Sequence, residues 1–289
     1  MKHRAIGIYR EHEFSPGKVE ADAAIIDAVL QELSSLGVET AAVDAKTFAA
    51  GIDADADLLL VMCQGEAALK RVAEMEARGV LTLNSALSIR NCYRDLLGIG
   101  LIRAGVPTPD GAILGTAAPV NLKTLTALDF DAGVYVKRGD LHALGPDDVQ
   151  EVSGRASLLE ACKAFSRRGV HTVYVQQAVE GRTVKFYGVS GAEYFTVLAE
   201  EGEIAPGVAR ELAEAASVAA SALGLDAWGG DAVLSGKRFA IIDFNDWPSY
   251  SQVRKAAARA IARRALKRIR RREEDLARRI QERSGPPGR

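Results

Sequence analysis

Residues 223–250 read LGLDAWGGDAVLSGKRFAIIDFNDWPSY, two β-prone runs on either side of a Ser-Gly pair. Asp231, Ala232, Val233 and Leu234 make the first run, Ser235 and Gly236 the turn, and Phe239 to Ile242 the second, which together predict a hairpin. Asp243 and Asn245 follow two residues apart, so an extended chain turns a carboxylate and an amide oxygen to one face. With Asp231 on the first strand, these oxygens suit a hard cation such as Mg2+, which leaves its other positions to water and phosphate oxygens. An ordinary hairpin with a polar exit has the same residues, and the pattern alone leaves both readings open.

Around this stretch the chain runs to 289 residues, 48% hydrophobic and 26% charged, enough for two core-forming domains of soluble composition. Cys63, Cys92 and Cys162 lie far apart in apolar segments, against a disulfide framework or a zinc cluster and in favour of a reducing cytoplasm. No apolar run of signal-peptide length follows the N-terminus, and no stretch of about 18 uncharged apolar residues occurs, so neither secretion nor a membrane span is expected.

The first third alternates strands (Ala5–Tyr9, Val38–Val43, Asp57–Met62, Val80–Leu83) with helices (Val19–Leu36, Glu66–Arg78), the pattern of a parallel sheet covered by helices. Ligands of such sheets collect beyond the carboxyl ends of the strands. Two loops take that position, Arg10–Lys18 and Cys63–Glu66. Arg10 and Lys18 are candidates for holding an anionic substrate group, a solvated charged loop being the alternative. His12 reads as a surface residue. No G-x-G-x-x-G follows the first strand, which removes the dinucleotide fingerprint.

A helix is predicted over Ser85–Ala104, stopped by Gly105–Pro109 (GVPTP), where a second domain begins. Gly133–Lys137 (GVYVK) is a strand that delivers Lys137 into the loop Arg138–Gly145, a workable phosphate clamp of one ammonium and backbone amides. A helix over Ser157–Arg168 and a strand over Thr172–Val179 follow. Lys185–Val189 and Glu193–Leu198 are further strands, and Gly207–Leu223 is a helix leading into the hairpin.

Asp231, Asp243, Asn245 and Pro248 resemble the metal-binding core of the ATP-grasp superfamily, in the subgroup similar to glutathione-synthase and ribosomal-modification (RimK-like) ligases. The resemblance covers residues 84–250 by motif; the chain departs from it in having Ser249 where Pro-Gly is usual. It implies a Rossmann-like N-terminal substrate domain (1–84), a central and lid subdomain (85–175), a metal-binding subdomain (176–251) and a basic helical tail (252–289). The fold class expected is therefore α/β and α+β. By the same resemblance Arg94 stands where a lysine usually meets an ATP phosphate, and Lys137 ends the phosphate strand. The hinge at Gln177, Ala178 and Val179 would read adenine, and Glu180 the ribose. Lys185, or Arg182, would sit near the γ-phosphate, and His142 on the lid loop would touch phosphate or acceptor. ATP and Mg2+ are the implied cofactors, with Mn2+ an alternative. The implied reaction makes an acylphosphate on a small-molecule carboxylate for attack by an amine. A kinase acting on a small-molecule hydroxyl and a nucleotide-binding scaffold remain as the other classes.

The tail differs from the body. Residues 252–289 hold fourteen Lys or Arg against four Asp or Glu, while the whole chain carries a net charge of −1, so an acidic body precedes a basic arm. Ala256, Ala260, Ile261, Leu266, Ile269, Leu276 and Ile280 recur at helical spacing and predict a long helix that stops at Ser284, Gly285 and Pro286. Such an arm suits nucleic acid, an anionic membrane surface or an acidic protein. Without interleaved aromatics, docking on the body or on a sister subunit of a homo-oligomer is favoured over nucleic acid.

Overall fold

The computed structural model describes residues 3–51 and 55–283. Strands β1 (Arg4–Tyr9), β2 (Glu39–Asp44), β3 (Leu58–Val61) and β4 (Leu81–Leu83) form a parallel sheet in the order β2-β1-β3-β4. All four residues of β3 (LLLV) are buried, as expected of a parallel strand covered on both faces. Helix α1 (Val19–Ser35) covers one face, and α2 (Ala45–Ala49) with α3 (Glu66–Ala77) covers the other. The three cysteines are free and buried.

The single helix expected over Ser85–Ala104 is two, α4 (Ala86–Arg90) and α5 (Arg94–Arg103). Its middle is drawn off the axis by packing: Cys92 is buried, Asn91 Nδ2 donates to Leu223 O at 3.1 Å, and the Tyr93 hydroxyl donates to Gln64 O at 2.9 Å. The second sheet is antiparallel, β5 (Gly111–Gly115), β6 (Val134–Arg138), β7 (Val149–Val152) and β8 (Thr172–Gln177), in the order β5-β8-β6-β7. Helix α6 (Gly154–Arg167) packs on Val134, Val136, Val173 and Val175, so alternation turns Lys137, Tyr174 and Gln176 to the opposite face. Strands β5 and β7 are short and lack a clear apolar alternation, which is why periodicity misses them.

The third sheet holds β9 (Arg182–Val189), β10 (Tyr194–Ala199), β11 (Ala227–Ser235) and β12 (Arg238–Asp246) in the order β10-β9-β11-β12. Helix α7 (Pro206–Leu223) ends on Gly224 at φ 77°, a left-handed C-terminal stop. It packs with α5 against Phe186, Trp228 and Phe244, and leaves the other face of the sheet for Lys185, Asp231 and Asp243.

Helix α8 (Arg254–Arg283) closes the chain. Ala257, Ala258, Ile261, Ala265 and Ile269 are buried in the core that also holds α1 residues, Trp247 and Tyr250. Leu276 and Ile280 are exposed, so the apolar seam read from the sequence is used only in its first half. The stop read at Ser284 to Pro286 lies outside the described residues. Among the described residues no helix is long and apolar enough to cross a membrane.

Candidate active site

The hairpin extends further than its sequence suggests, and a bulge at Ile242 sets its register: Asp231 pairs with Asp243, but Ala232 pairs with Ile241. The bulge brings the two carboxylates directly opposite one another on one face, with Asn245 two residues on and opposite Gly229. Burial first, and then the charge of Asp243, pushes the Asp231 carboxyl up. Burial also works to raise Asp243, but Arg94, Lys137 and His142 outweigh it and hold that carboxyl below its ordinary value. Among the described residues no three His, Cys, Asp or Glu side chains gather as a metal cluster. The donor set is therefore two carboxylates and one amide oxygen. That set fits a hard divalent cation sharing its shell with phosphate oxygens, and such an ion would relieve the repulsion between the paired aspartates.

Three cations from three elements converge on this face. Arg94, at the first position of α5, is 5% exposed and donates from Nη2 to Asp243 Oδ2 at 3.3 Å; its Nε and Nη1 are buried with no partner. Gly98 and Gly111 leave room for the Tyr174 ring, and that contact seats α5 on the second sheet. Lys137 Nζ donates to Gln176 Oε1 at 2.7 Å and to Ile242 O at 2.9 Å. Burial is the largest influence on it and lowers its pKa from 10.5 to about 8. Lys185 lies directly opposite Asp231 in the register of β9 and β11 and bonds its Oδ1 at 3.0 Å. Arg94, Lys137, Lys185, Asp231, Asp243 and Asn245 thus come together between the second and third sheets.

Other sequence candidates are placed elsewhere. Arg182 is three residues from Lys185, an odd spacing that turns it to the opposite face of β9. Its guanidinium is held by the carbonyls of Glu201 and Glu203, away from the carboxylate pair. At the hinge β8 ends at Gln177, short of Val179. The backbone N–H of Gln177 goes to Asp110 O and that of Ala178 to Gly133 O, so of the three hinge amides only that of Val179 is not taken up by the described residues. Glu180 is exposed beside it. Arg10 does not present a free fork to an anion: it bonds Asp22 at 3.3 Å and the carbonyls of Met62, Asp246 and Trp247, which ties the first sheet to the hairpin. Lys18 is exposed at the start of α1. His142, on the loop after β6, reaches Asp246 Oδ1 at 3.1 Å.

Several residues at this junction carried no motif. Glu11 accepts the backbone N–H groups of Gln64 and Gly65, each at 3.0 Å, at the start of α3. Asp246 is buried next to Asn245. Beyond it the loop Trp247–Tyr250 holds two non-glycine residues in the left-handed region, Trp247 at φ 39° and Tyr250 at φ 49°. Trp247 Nε1 donates to Leu83 O at 2.8 Å, and the Tyr250 hydroxyl donates to Gly188 O and Trp228 O at 2.9 and 3.0 Å. Two anchored aromatics thus hold the loop that has Ser249 in place of glycine. The available signal was a Trp-Pro-x-Tyr run directly after the cation-binding residues.

No protein-family model and no curated protein matches the chain. Solved structures do. D-alanine–D-alanine ligase from Bacillus anthracis complexed with ATP is 15% identical with a TM-score of 0.72, over 95% of this chain and 99% of that one. The D-alanine–D-alanine ligase from Coxiella burnetii is 11% identical with a TM-score of 0.71, over 97% of this chain and 99% of that one. The chain has the fold of these proteins along almost its whole length.

Proposed function

We propose that the chain is an ATP-dependent, ADP-forming ligase that joins a small-molecule carboxylate to an amine, in the manner of the glutathione-synthase and ribosomal-modification (RimK-like) ligases. One observation carries the reading: the bulged hairpin sets Asp231 against Asp243 on the face where Arg94, Lys137 and Lys185 converge, in a fold shared with an ATP-bound ligase. Residues 1–84 would serve a substrate, 85–175 and 176–251 would enclose the nucleotide, and the hinge at Val179 and Glu180 would meet adenine and ribose. The buried thiols and the use of ATP suit a cytoplasmic setting.

Catalysis in this site is positioning and charge neutralisation. Lys137 and Arg94 hold the phosphates from the side of the second sheet, and Lys185 approaches the transferred group from the third. Asp231, Asp243 and Asn245 would hold Mg2+ (or Mn2+), which when bound neutralises phosphate charge. A substrate carboxylate oxygen takes the γ-phosphoryl group and ADP leaves. The amine then attacks the acylphosphate carbon, phosphate departs, and an amide remains. No side-chain nucleophile is required. The test is ADP release over pooled carboxylates and amines, with products read by mass spectrometry. Condensation products are expected; a gain of one phosphoryl group on a hydroxyl compound would replace ligase by kinase, and absence of any ADP release would sink both.

A further inference from the structure

Asp246 has a fully buried side chain, and its partners come from three separate parts of the chain. Oδ1 accepts from Gln64 Nε2 at 3.1 Å, on the loop between β3 and α3, and lies 3.1 Å from His142 Nε2, on the loop after β6. Arg10 brings Nη2 to 3.9 Å from Oδ2 and donates to Asp246 O at 3.3 Å. A buried carboxylate is costly unless paired, and a cluster that merely filled a core would saturate its acceptors. Here Oδ2 and His142 Nδ1 are both buried without a hydrogen-bond partner. Among the described residues, His142 makes the one side-chain hydrogen bond that leaves the segment Asp140–Leu144 for another part of the chain.

We infer that Asp246 is a positioning residue, and that the His142–Asp246–Gln64 clasp holds the loop after β6 down over the phosphate-binding face while tying it to the first sheet. The clasp would set the closed geometry around the nucleotide, which rests on the ligase reading; the contact itself does not. The loop carries no other anchor toward the first sheet, so breaking either half of the clasp should release it.

The test uses the full-length protein in hydrogen exchange of residues 139–145, with and without Mg-ADP, and calorimetry with Mg-ADP. His142→Ala and Asp246→Ala should each speed exchange of that segment by about tenfold and weaken Mg-ADP by about tenfold, the scale of one hydrogen bond to a charged group. The double variant should be no worse than either single, because both remove the same contact. Asp246→Asn keeps an acceptor oxygen for His142 and Gln64 and should restore slow exchange. Unchanged exchange in His142→Ala, or strictly additive effects in the double variant, would overturn the clasp. Should Asp246→Ala fail to fold, His142→Ala and Asp246→Asn still decide it. Should the wild type not bind Mg-ADP, the ligase reading fails, and exchange in the nucleotide-free protein still decides the clasp.

Discussion

Replacing Lys137 by Met separates its cost to folding from its use in binding. The ammonium is 6% exposed, and burial lowers its pKa from 10.5 to about 8. That difference corresponds to about 3 kcal/mol of penalty on the charged form in the folded state. Methionine removes this penalty but strands Gln176 Oε1 and Ile242 O, each an acceptor worth about 1–3 kcal/mol when left unpaired. The two effects nearly cancel, so Lys137→Met should change stability by no more than about 2 kcal/mol, read as a small shift in Tm. Nucleotide affinity should fall by about 1.5–3 kcal/mol, roughly 10- to 150-fold, the worth of a charge-assisted contact. The wild type should show a matching pH dependence. Above pH 8 the free protein loses this ammonium, and at pH 9 only about a tenth of it remains, so ATP binding should weaken roughly tenfold there. Stability moves the other way: between pH 8 and 10.5 the unfolded chain still holds the proton that the folded chain has released, so this group's contribution to stability rises with pH across that window. Calorimetry with ATP at pH 7 and 9 and thermal melts over the same range check both signs. An unchanged ATP Kd in Lys137→Met would refute the placement of the lysine at the phosphates.

Asp243→Asn and Asn245→Ala should abolish Mg2+-dependent turnover while circular dichroism shows the fold intact, since each removes a charge or an oxygen from the donor set; wild-type turnover in either would dismiss the metal site. Gly230→Ala places a Cβ into Asp243 O and the Phe186 ring. The hairpin must then shift, and the variant should lose at least about 1 kcal/mol by chemical denaturation and most of its activity. Truncation after Ser251 removes Ile261 and Ile269 from the core at up to about 1.5–3 kcal/mol each, an upper estimate before ordering entropy, so Tm should fall sharply. Truncation after Arg270 should leave Tm unchanged, because Leu276 and Ile280 are already exposed. If the longer truncation instead spared Tm and removed salt-sensitive nucleic-acid binding, the helix would be an arm and not a core element.

What was readable in the chain was local. Asp243 and Asn245 share a face because strand side chains alternate, and Lys137 is delivered by the strand that precedes it. Arg182 was misread for the same reason it was singled out: its closeness to Lys185 in sequence suggested one site, but an odd spacing on β9 puts the two on opposite faces. Arg10 looked like a free anion fork because nothing local reveals that residues more than two hundred positions later would occupy it. The break between α4 and α5 depends on Gln64 and Leu223, neither of which a helical window contains.

The sequence by itself determined the alternation of the first sheet, the hairpin with its oxygen donors, and the basic helix at the end, since these rest on periodicity and turn chemistry within a few neighbouring residues. The tertiary structure decided the facing of Asp231 and Asp243 through a bulge at Ile242, the burial of Lys137, and the pairing of His142 with Asp246. Those depend on strand register and on contacts between residues 100 or more positions apart, where the free energy comes from burial and charge pairing that no single segment holds on its own.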